Sequence, residues 1–258
     1  MITMGIDIGS TTSKCIILND GQQIIGSSLV KSGIGTDGPQ EAFERALEKS
    51  GIKEGDLSRV IATGYGRAIW KGAHDTVSEL TAHAIGSYFL FPKVRTIIDI
   101  GGQDAKVISL NDEGKMADFV MNDKCAAGTG RFLDVMAGIL KLRVEELEKV
   151  AAQSTAMVSI SSTCTVFAES EVISQLASGA PVPDVVLGIC HSVAGRVASL
   201  ARRVGICEQV CMSGGVAQNG GVRGAMEQVL GVQIVYSPLA QLTGAIGAAL
   251  HAYNNVMS

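Results

Sequence analysis

The chain has 258 residues, 47% of them hydrophobic and 18% charged, which excludes a disordered polypeptide. Its 21 basic and 25 acidic residues leave a net charge of −4 and only 4% are aromatic, so a basic nucleic-acid face and a base-stacking platform are both disfavoured. Glycine is the outlier: its 31 residues keep no strict period, which excludes collagen, and they cluster in short loops, which suggests backbone packed close to a ligand.

The chain opens Met1-Ile2-Thr3-Met4 and runs directly into a strand pattern, Met4 to Ile8, with no basic segment ahead of an apolar one. No secretory leader is expected, and a cytoplasmic location follows. Cys15 to Leu18 reads as a second strand, with Asp20-Gly21 a hairpin signal behind it. Pro39 to Ser50 has helical apolar spacing and closes at Gly51. Asp75 to Phe91 reads as a helix stopped by Pro92. A second strand pair surrounds Ile98 to Leu110 and is closed by Asn111 to Gly114. Helices are expected over Arg131 to Leu142, over Thr165 to Ser178 ahead of Gly179, and over the amphipathic stretch Val185 to Val204. Val210-Cys211-Met212 is a strand that runs into Ser213-Gly214-Gly215, and Leu242 to Tyr253 is an Ala- and Gly-rich helix suited to a tight core. No apolar run is counted as long enough to span a membrane. Strands interleaved with helices give an α/β class.

The chain repeats itself. Shifted by 92 positions, Ile6-Asp7-Ile8-Gly9 falls on Ile98-Asp99-Ile100-Gly101, Lys14 on Lys106, and Asn19-Asp20 on Asn111-Asp112, with 9 identities in the 15 positions from 6 to 20. Two related halves follow, each opening with a hairpin that carries an Asp-x-Gly turn. The first lobe is assigned to 1–92 plus 242–258 and the second to 93–241.

Each turn carries what a phosphate needs. Gly9 allows close approach, successive turn N–H groups form an anion-binding concavity, and Ser10, Thr11 and Thr12 add hydroxyl donors. A carboxylate at the strand end, Asp7, suits Mg²⁺ held through water. Asp99, Gly101, Gly102, Gln103 and Asp104 offer the corresponding set in the second half. Neither copy has Walker A or G-x-G-x-x-G spacing. Lys14 and Lys106 fit phosphate neutralisation and ordinary strand surface equally. A strand entering Gly214-Gly215 and then a helix, with Ala217 behind, suits adenosine. Together the three loops resemble, in order, the phosphate 1, phosphate 2 and adenosine motifs of the actin, sugar-kinase and Hsp70 ATPases.

Six cysteines include no Cys-x-x-Cys. Cys125 and Cys164, 39 residues apart, each precede a helical run, where free N–H donors and the helix dipole favour thiolate. Spacing alone favours buried structural thiols; the polar, Gly-rich sequence around them favours an iron–sulfur site, completed by a symmetric dimer because a cubane takes four thiolates. Cys207 and Cys211 lack a second ligand pair and read as buried, and Cys15 and Cys190 read as packing. His74, His83, His191 and His251 have no ligand spacing.

Asn122-Asp123-Lys124-Cys125-Ala126-Ala127-Gly128-Thr129-Gly130-Arg131-Phe132-Leu133 and Ser161-Ser162-Thr163-Cys164-Thr165-Val166-Phe167-Ala168-Glu169-Ser170-Glu171-Val172 resemble the activators of 2-hydroxyacyl-CoA dehydratases (component A, or initiators) in the BadF/BadG/BcrA/BcrD ATPase family. Thr63-Gly64-Tyr65-Gly66-Arg67, Asp99 to Lys106 and Ser213 to Asn219 match as well, so the resemblance covers essentially the whole chain. It implies a duplicated actin-like ATPase fold (ASKHA, ribonuclease H-like motif), two lobes with ATP in the cleft. It implies a homodimer sharing one 4Fe–4S cluster on Cys125 and Cys164 of each chain, and one low-potential electron taken from ferredoxin or flavodoxin and passed to a dehydratase (component D). No nucleic acid and no membrane are expected as partners. Within that picture Asp7 and Asp99 organise Mg²⁺ for ATP or ADP. Ser10, Thr11, Thr12, Gly101, Gly102 and Gln103 contact phosphates, and Gln103 or Asp104 orients the attacking water. Gly214, Gly215 and Ala217 flank adenosine. The alternatives are the ATPase subunit of a benzoyl-CoA-reductase-type enzyme and an actin-fold small-molecule kinase with Asp104 as its base.

Overall fold

The computed structural model describes residues 1–161 and 164–257. Ser162 and Thr163, within the second cysteine motif, lie outside the described residues. Two compact units emerge: Met1–Val94 with Leu110–Met116 and Leu239–Ser258, and Arg95–Ser109 with Ala117–Pro238.

The first unit is built on β1 (Ile2–Ile8), β2 (Ser13–Asn19), β3 (Gln23–Val30), β4 (Arg59–Thr63) and β5 (Asp75–Thr76), in the order β3-β2-β1-β4-β5. β1 pairs antiparallel with β2 and parallel with β4. Three helices accompany the sheet: α1 (Gly38–Ser50), α2 (Glu79–Leu90) and α8 (Thr243–Met257). The period of two along a strand decides what each side chain meets. Met4, Ile6, Ile8, Cys15 and Ile17 pack with Ala42, Phe43 and Ala46 of α1. Ile16 and Leu18 pack with Ala245, Ile246 and Ala249 of α8. Thr3, on the α8 side of β1, donates its hydroxyl to Ala249 O at 3.1 Å. Asp7 shares that parity with Thr3 and so arrives at the start of α8. Both faces of the sheet are covered, and its central strands β1 and β2 are buried nearly throughout, as such coverage requires.

The second unit repeats the plan with β6 (Thr96–Ile100), β7 (Ala105–Leu110), β8 (Met116–Asn122), β9 (Val210–Ser213) and β10 (Ile234–Val235), ordered β10-β9-β6-β7-β8. β6 pairs antiparallel with β7 and parallel with β9, as β1 does with β2 and β4. The repeat found by sliding the sequence is a repeat of topology. Around this sheet lie α3 (Gly130–Ile139), α4 (Leu147–Ala151), α5 (Thr165–Ala177), α6 (Val182–Val204) and α7 (Gly220–Leu230).

Three expectations change. The segment from Asp75 is not helical at its start: Asp75 and Thr76 pair with Ile61 and Ala62, and α2 begins only after Ser78, whose hydroxyl caps it by accepting from Thr81 N. The helix at Arg131 stops at Ile139, with Lys141 in the left-handed region at φ 55°. An apolar helix of spanning length does exist, since α6 has 23 residues; 61% of its most apolar window is buried, which marks the core helix of this unit.

Candidate nucleotide and thiolate sites

At the first turn, Gly9 N donates to Thr12 O at 3.0 Å; at the second, Gly101 N donates to Asp104 O at 2.9 Å. The hairpins are the same turn, with Thr12 in the place of Asp104. In β1–β2 the register sets Asp7 opposite Lys14, and in β6–β7 it sets Asp99 opposite Lys106. Both lysines are buried, 8% and 3% exposed, so the strand-surface reading of them is overturned. Lys14 Nζ reaches Asp7 Oδ2 at 3.0 Å. Lys106 Nζ lies 2.9 Å from Asp99 Oδ2 and 2.5 Å from Asp104 Oδ2. A buried cation of this kind persists because each desolvated charge is compensated.

The parallel neighbours repeat as well. Asp7 stands in register with Thr63 of β4, and Asp99 with Ser213 of β9. Ser213 Oγ donates to Asp99 Oδ1 at 2.7 Å, whereas Thr63 Oγ1 has no hydrogen bond among the described residues. Each hydroxyl residue is followed by a glycine, Gly64 and Gly214, both at φ +83°. A Cβ on Gly64 would stand 2.5 Å from Asp7 Oδ1 and 2.5 Å from Ile8 O; on Gly214 it would stand 2.3 Å from Ile100 O and 3.0 Å from Asp99 Oδ1. Only glycine fits the backbone angle and the space together. Thr63-Gly64 is therefore the first-unit counterpart of Ser213-Gly214. The fixed shift of 92 does not reveal it, because the two pairs are 150 residues apart; a strand ending in hydroxyl-glycine was the available signal.

The remaining predicted residues sort by exposure. Ser10 and Thr12 are half-buried and Thr11 and Gln103 exposed, while Asp104 is buried. Gly215 opens a short 3₁₀ turn over Gly215–Gln218 in which Ala217 is buried. Behind that turn, Arg223 donates to Ala217 O at 2.5 Å and lies 4.0 Å over the Tyr236 ring. Tyr236 in turn donates to Gln218 Oε1 at 2.5 Å. This brace on the 214–218 loop carries no sequence signal.

Cys125 and Cys164 are exposed, which rules out the buried structural reading of both; Cys207 is exposed too, against expectation, while Cys15, Cys190 and Cys211 are buried as packing residues are. Burial pushes the Cys190 thiol up to about 12, and burial raises Cys15 further. These two remain neutral thiols. Cys164 is the N-cap of α5, and Cys125 lies in the loop before α3. That loop is tied to the 101–104 turn: Gly130 N donates to Gly101 O at 2.9 Å and Arg131 N to Gly102 O at 2.8 Å. Cys125 also borders a cavity of about 570 Å³ that Ser161, His191 and Arg196 help to line. Among the described residues no three His, Cys, Asp or Glu side chains are grouped to hold a metal ion. Two exposed thiols, each ahead of a helix, amount to half of a four-thiolate site, and in that sense the chain fits a cluster completed by a second copy.

The model of a family described as the BadF/BadG/BcrA/BcrD ATPase family matches residues 4–252. The (R)-2-hydroxyglutaryl-CoA dehydratase activating ATPase of Acidaminococcus fermentans is 58% identical over 252 residues, 97% of this chain and 96% of that one. The solved activator of the 2-hydroxyisocaproyl-CoA dehydratase from Clostridium difficile, with bound ADPNP, superposes with a TM-score of 0.97 at 51% identity, covering 100% of this chain and 96% of that one. A ROK family glucokinase from Streptomyces griseus reaches a TM-score of 0.57 at 16% identity, covering 98% of this chain and 100% of that one, and shares the fold alone.

Proposed function

The chain belongs to the BadF/BadG/BcrA/BcrD ATPase family, and from that premise we propose that it is the ATP-driven activator of a 2-hydroxyacyl-CoA dehydratase. In this reading two copies share one 4Fe–4S cluster and deliver one low-potential electron, received from ferredoxin or flavodoxin in the cytoplasm, to a separate dehydratase. The observation that carries the reading is the joining of two sites within one unit. The first turn of α3 hangs on the carbonyls of Gly101 and Gly102, and Cys125 lies in the loop that leads into that turn.

In this reading each hairpin turn is a phosphate contact: Ser10, Thr11 and Thr12 with the Gly9 turn in the first unit, and Gly101, Gly102 and Gln103 in the second. Mg²⁺ would be held through water by Asp7, with Asp99 supporting while it keeps Ser213 and Lys106 in place. Lys14 and Lys106 serve the aspartates first and place positive charge behind the phosphate turns. Lys106 meets both Asp99 and Asp104, and Asp104, which lies in the turn itself, is the residue we assign to orienting the attacking water, with Gln103 at the exposed edge. Gly214, Gly215 and Ala217 receive adenosine.

Cys125 and Cys164 would ligate the cluster. When bound, such a cluster stores and releases one electron, and its potential responds to hydrogen bonding and solvent exposure. The chain's own part is mechanical. Any displacement of the 101–104 turn during ATP turnover is transmitted through two backbone hydrogen bonds to α3 and its preceding loop. The decisive test is iron and acid-labile sulfide on protein purified without oxygen, beside the Cys125→Ser, Cys164→Ser double variant. We expect about half a 4Fe–4S cluster per chain, absent from the variant. No iron after anaerobic reconstitution overturns the electron-transfer role and leaves an actin-like ATPase.

A further inference from the structure

His83 belongs to no motif of the sequence, yet it occupies a built position beside the first aspartate. It is 7% exposed and lies on α2, which packs along α8. The two helices meet backbone to backbone. A Cβ on Gly86 would stand 2.1 Å from Thr243 O, and one on Gly247 would stand 1.8 Å from Ala82 O. His83 sits between those contacts in the chain, next to Ala82 and one turn from Gly86, so the close crossing presses its ring toward the first turn of α8. There the chain has Gly244. A Cβ added at Gly244 would be 3.0 Å from Asp7 Oδ2 and 3.1 Å from His83 Nε2. The imidazole nitrogen and the carboxylate oxygen thus flank one point that the absence of a side chain keeps open.

We propose that His83 is a positioning residue for Asp7. Its ring, with Lys14 on the same Oδ2 and the N-terminus of α8 nearby, holds the carboxylate in the orientation from which it would serve the nucleotide's metal ion. Groups that orient a metal-binding carboxylate from behind tune the affinity of the site without touching the metal. The second unit uses Ser213 and Asp104 around Asp99 instead, so His83 is specific to the first hairpin. The inference rests on the reading of Asp7 as the residue facing Mg²⁺.

The test compares ADP affinity, by calorimetry on the intact protein, with saturating Mg²⁺ and with EDTA, for wild type, His83→Leu and His83→Gln. We expect His83→Leu to lose about 10- to 100-fold of the affinity gained from Mg²⁺ while ADP binding in EDTA is unchanged. His83→Gln, which keeps a polar group in the slot, should recover most of it. The ATPase of His83→Leu should show the same loss as a raised Mg²⁺ requirement that excess Mg²⁺ overcomes. Equal losses with Mg²⁺ and with EDTA in both variants, together with a lowered Tm, would mean packing alone and overturn the proposal, as would an unchanged Mg²⁺ increment in His83→Leu. Asp7→Asn separates the two levels. If that variant also keeps the full increment, the assignment of Asp7 itself fails and takes the His83 proposal with it.

Discussion

Asp7 and Asp99 hold the same station on two copies of one hairpin and keep different company. Around Asp7 are one lysine, two glycine backbones and a buried histidine. Around Asp99 are a lysine shared with a second carboxylate, Asp104, and a serine hydroxyl. In the first hairpin Lys14 meets one carboxylate; in the second Lys106 meets two. Duplication supplied the scaffold twice, and the turns diverged at three positions, Ser10 against Gly102, Thr11 against Gln103 and Thr12 against Asp104, so that only the second turn carries a carboxylate. The glycine after β4 and after β9 did not diverge, because the backbone angle and the crowding at the strand end are the same in both units.

The sharpest way to break this comparison is to remove the lysines. Lys106→Met strands two buried carboxylates and Lys14→Met strands one. Loss of one partner from a buried pair costs about 3–5 kcal/mol, so both variants should unfold at lower denaturant, Lys106→Met by more. Equal midpoints would show that Asp104 draws nothing from Lys106. Asp104→Asn tests the division of labour directly: steady-state ATP turnover should fall about 100-fold or more with KM within a few-fold, while Thr12→Val should act mainly on KM. A reversed pattern would exchange the roles of the hairpins. Gly64→Ala and Gly214→Ala should each cost roughly 1–3 kcal/mol in chemical unfolding and should do so alike, since both sites combine φ +83° with a carbonyl inside contact distance. Unequal costs would mean that the two strand ends are less alike than their geometry.

The smallest effect concerns Cys15, whose repeat partner is Val107. Cys15→Val makes the first strand pair more like the second and should change stability at pH 7 by less than about 1.5 kcal/mol. Burial, followed by a smaller contribution from Asp7, raises the Cys15 thiol. A group whose folded pKa is raised contributes fully below its unfolded pKa, near 8.5 for cysteine, and loses that contribution as pH rises toward the folded value. The variant should therefore gain on wild type from about pH 8.5 upward, as read from unfolding curves at pH 7 and pH 10. Parallel curves would show that Cys15 is not buried as a neutral thiol.

Much of the site was legible before any fold was known. Asp7, Gly9, Asp99 and Gly101 stood out as candidates because carboxylate and glycine recur at the same offsets at the ends of two strands. Gly214-Gly215 was visible for the same local reason. The start of α2 was misplaced because Asp75 and Thr76 have polar, turn-like character, and only the exposed edge of β4 makes a strand of them. The buried state of Lys14 and Lys106 was not legible either, since a lysine on a strand looks the same whether it faces water or an aspartate across the ladder. Cys207 went the other way, apolar in type yet exposed.

The sequence by itself determined the duplicated hairpins, the α/β class, the two cysteines set before helices and the family, all of which depend on residues near one another in the chain or on a repeated pattern. Only the tertiary structure decided which lysine serves two carboxylates, that Thr63-Gly64 mirrors Ser213-Gly214, and that His83 is brought to Asp7 by a glycine-lined helix crossing. Those facts join segments as far apart as residues 7, 83 and 244. Charge compensation and close backbone approach depend on distance in space, which is set by the packing of whole elements and leaves no local period to read.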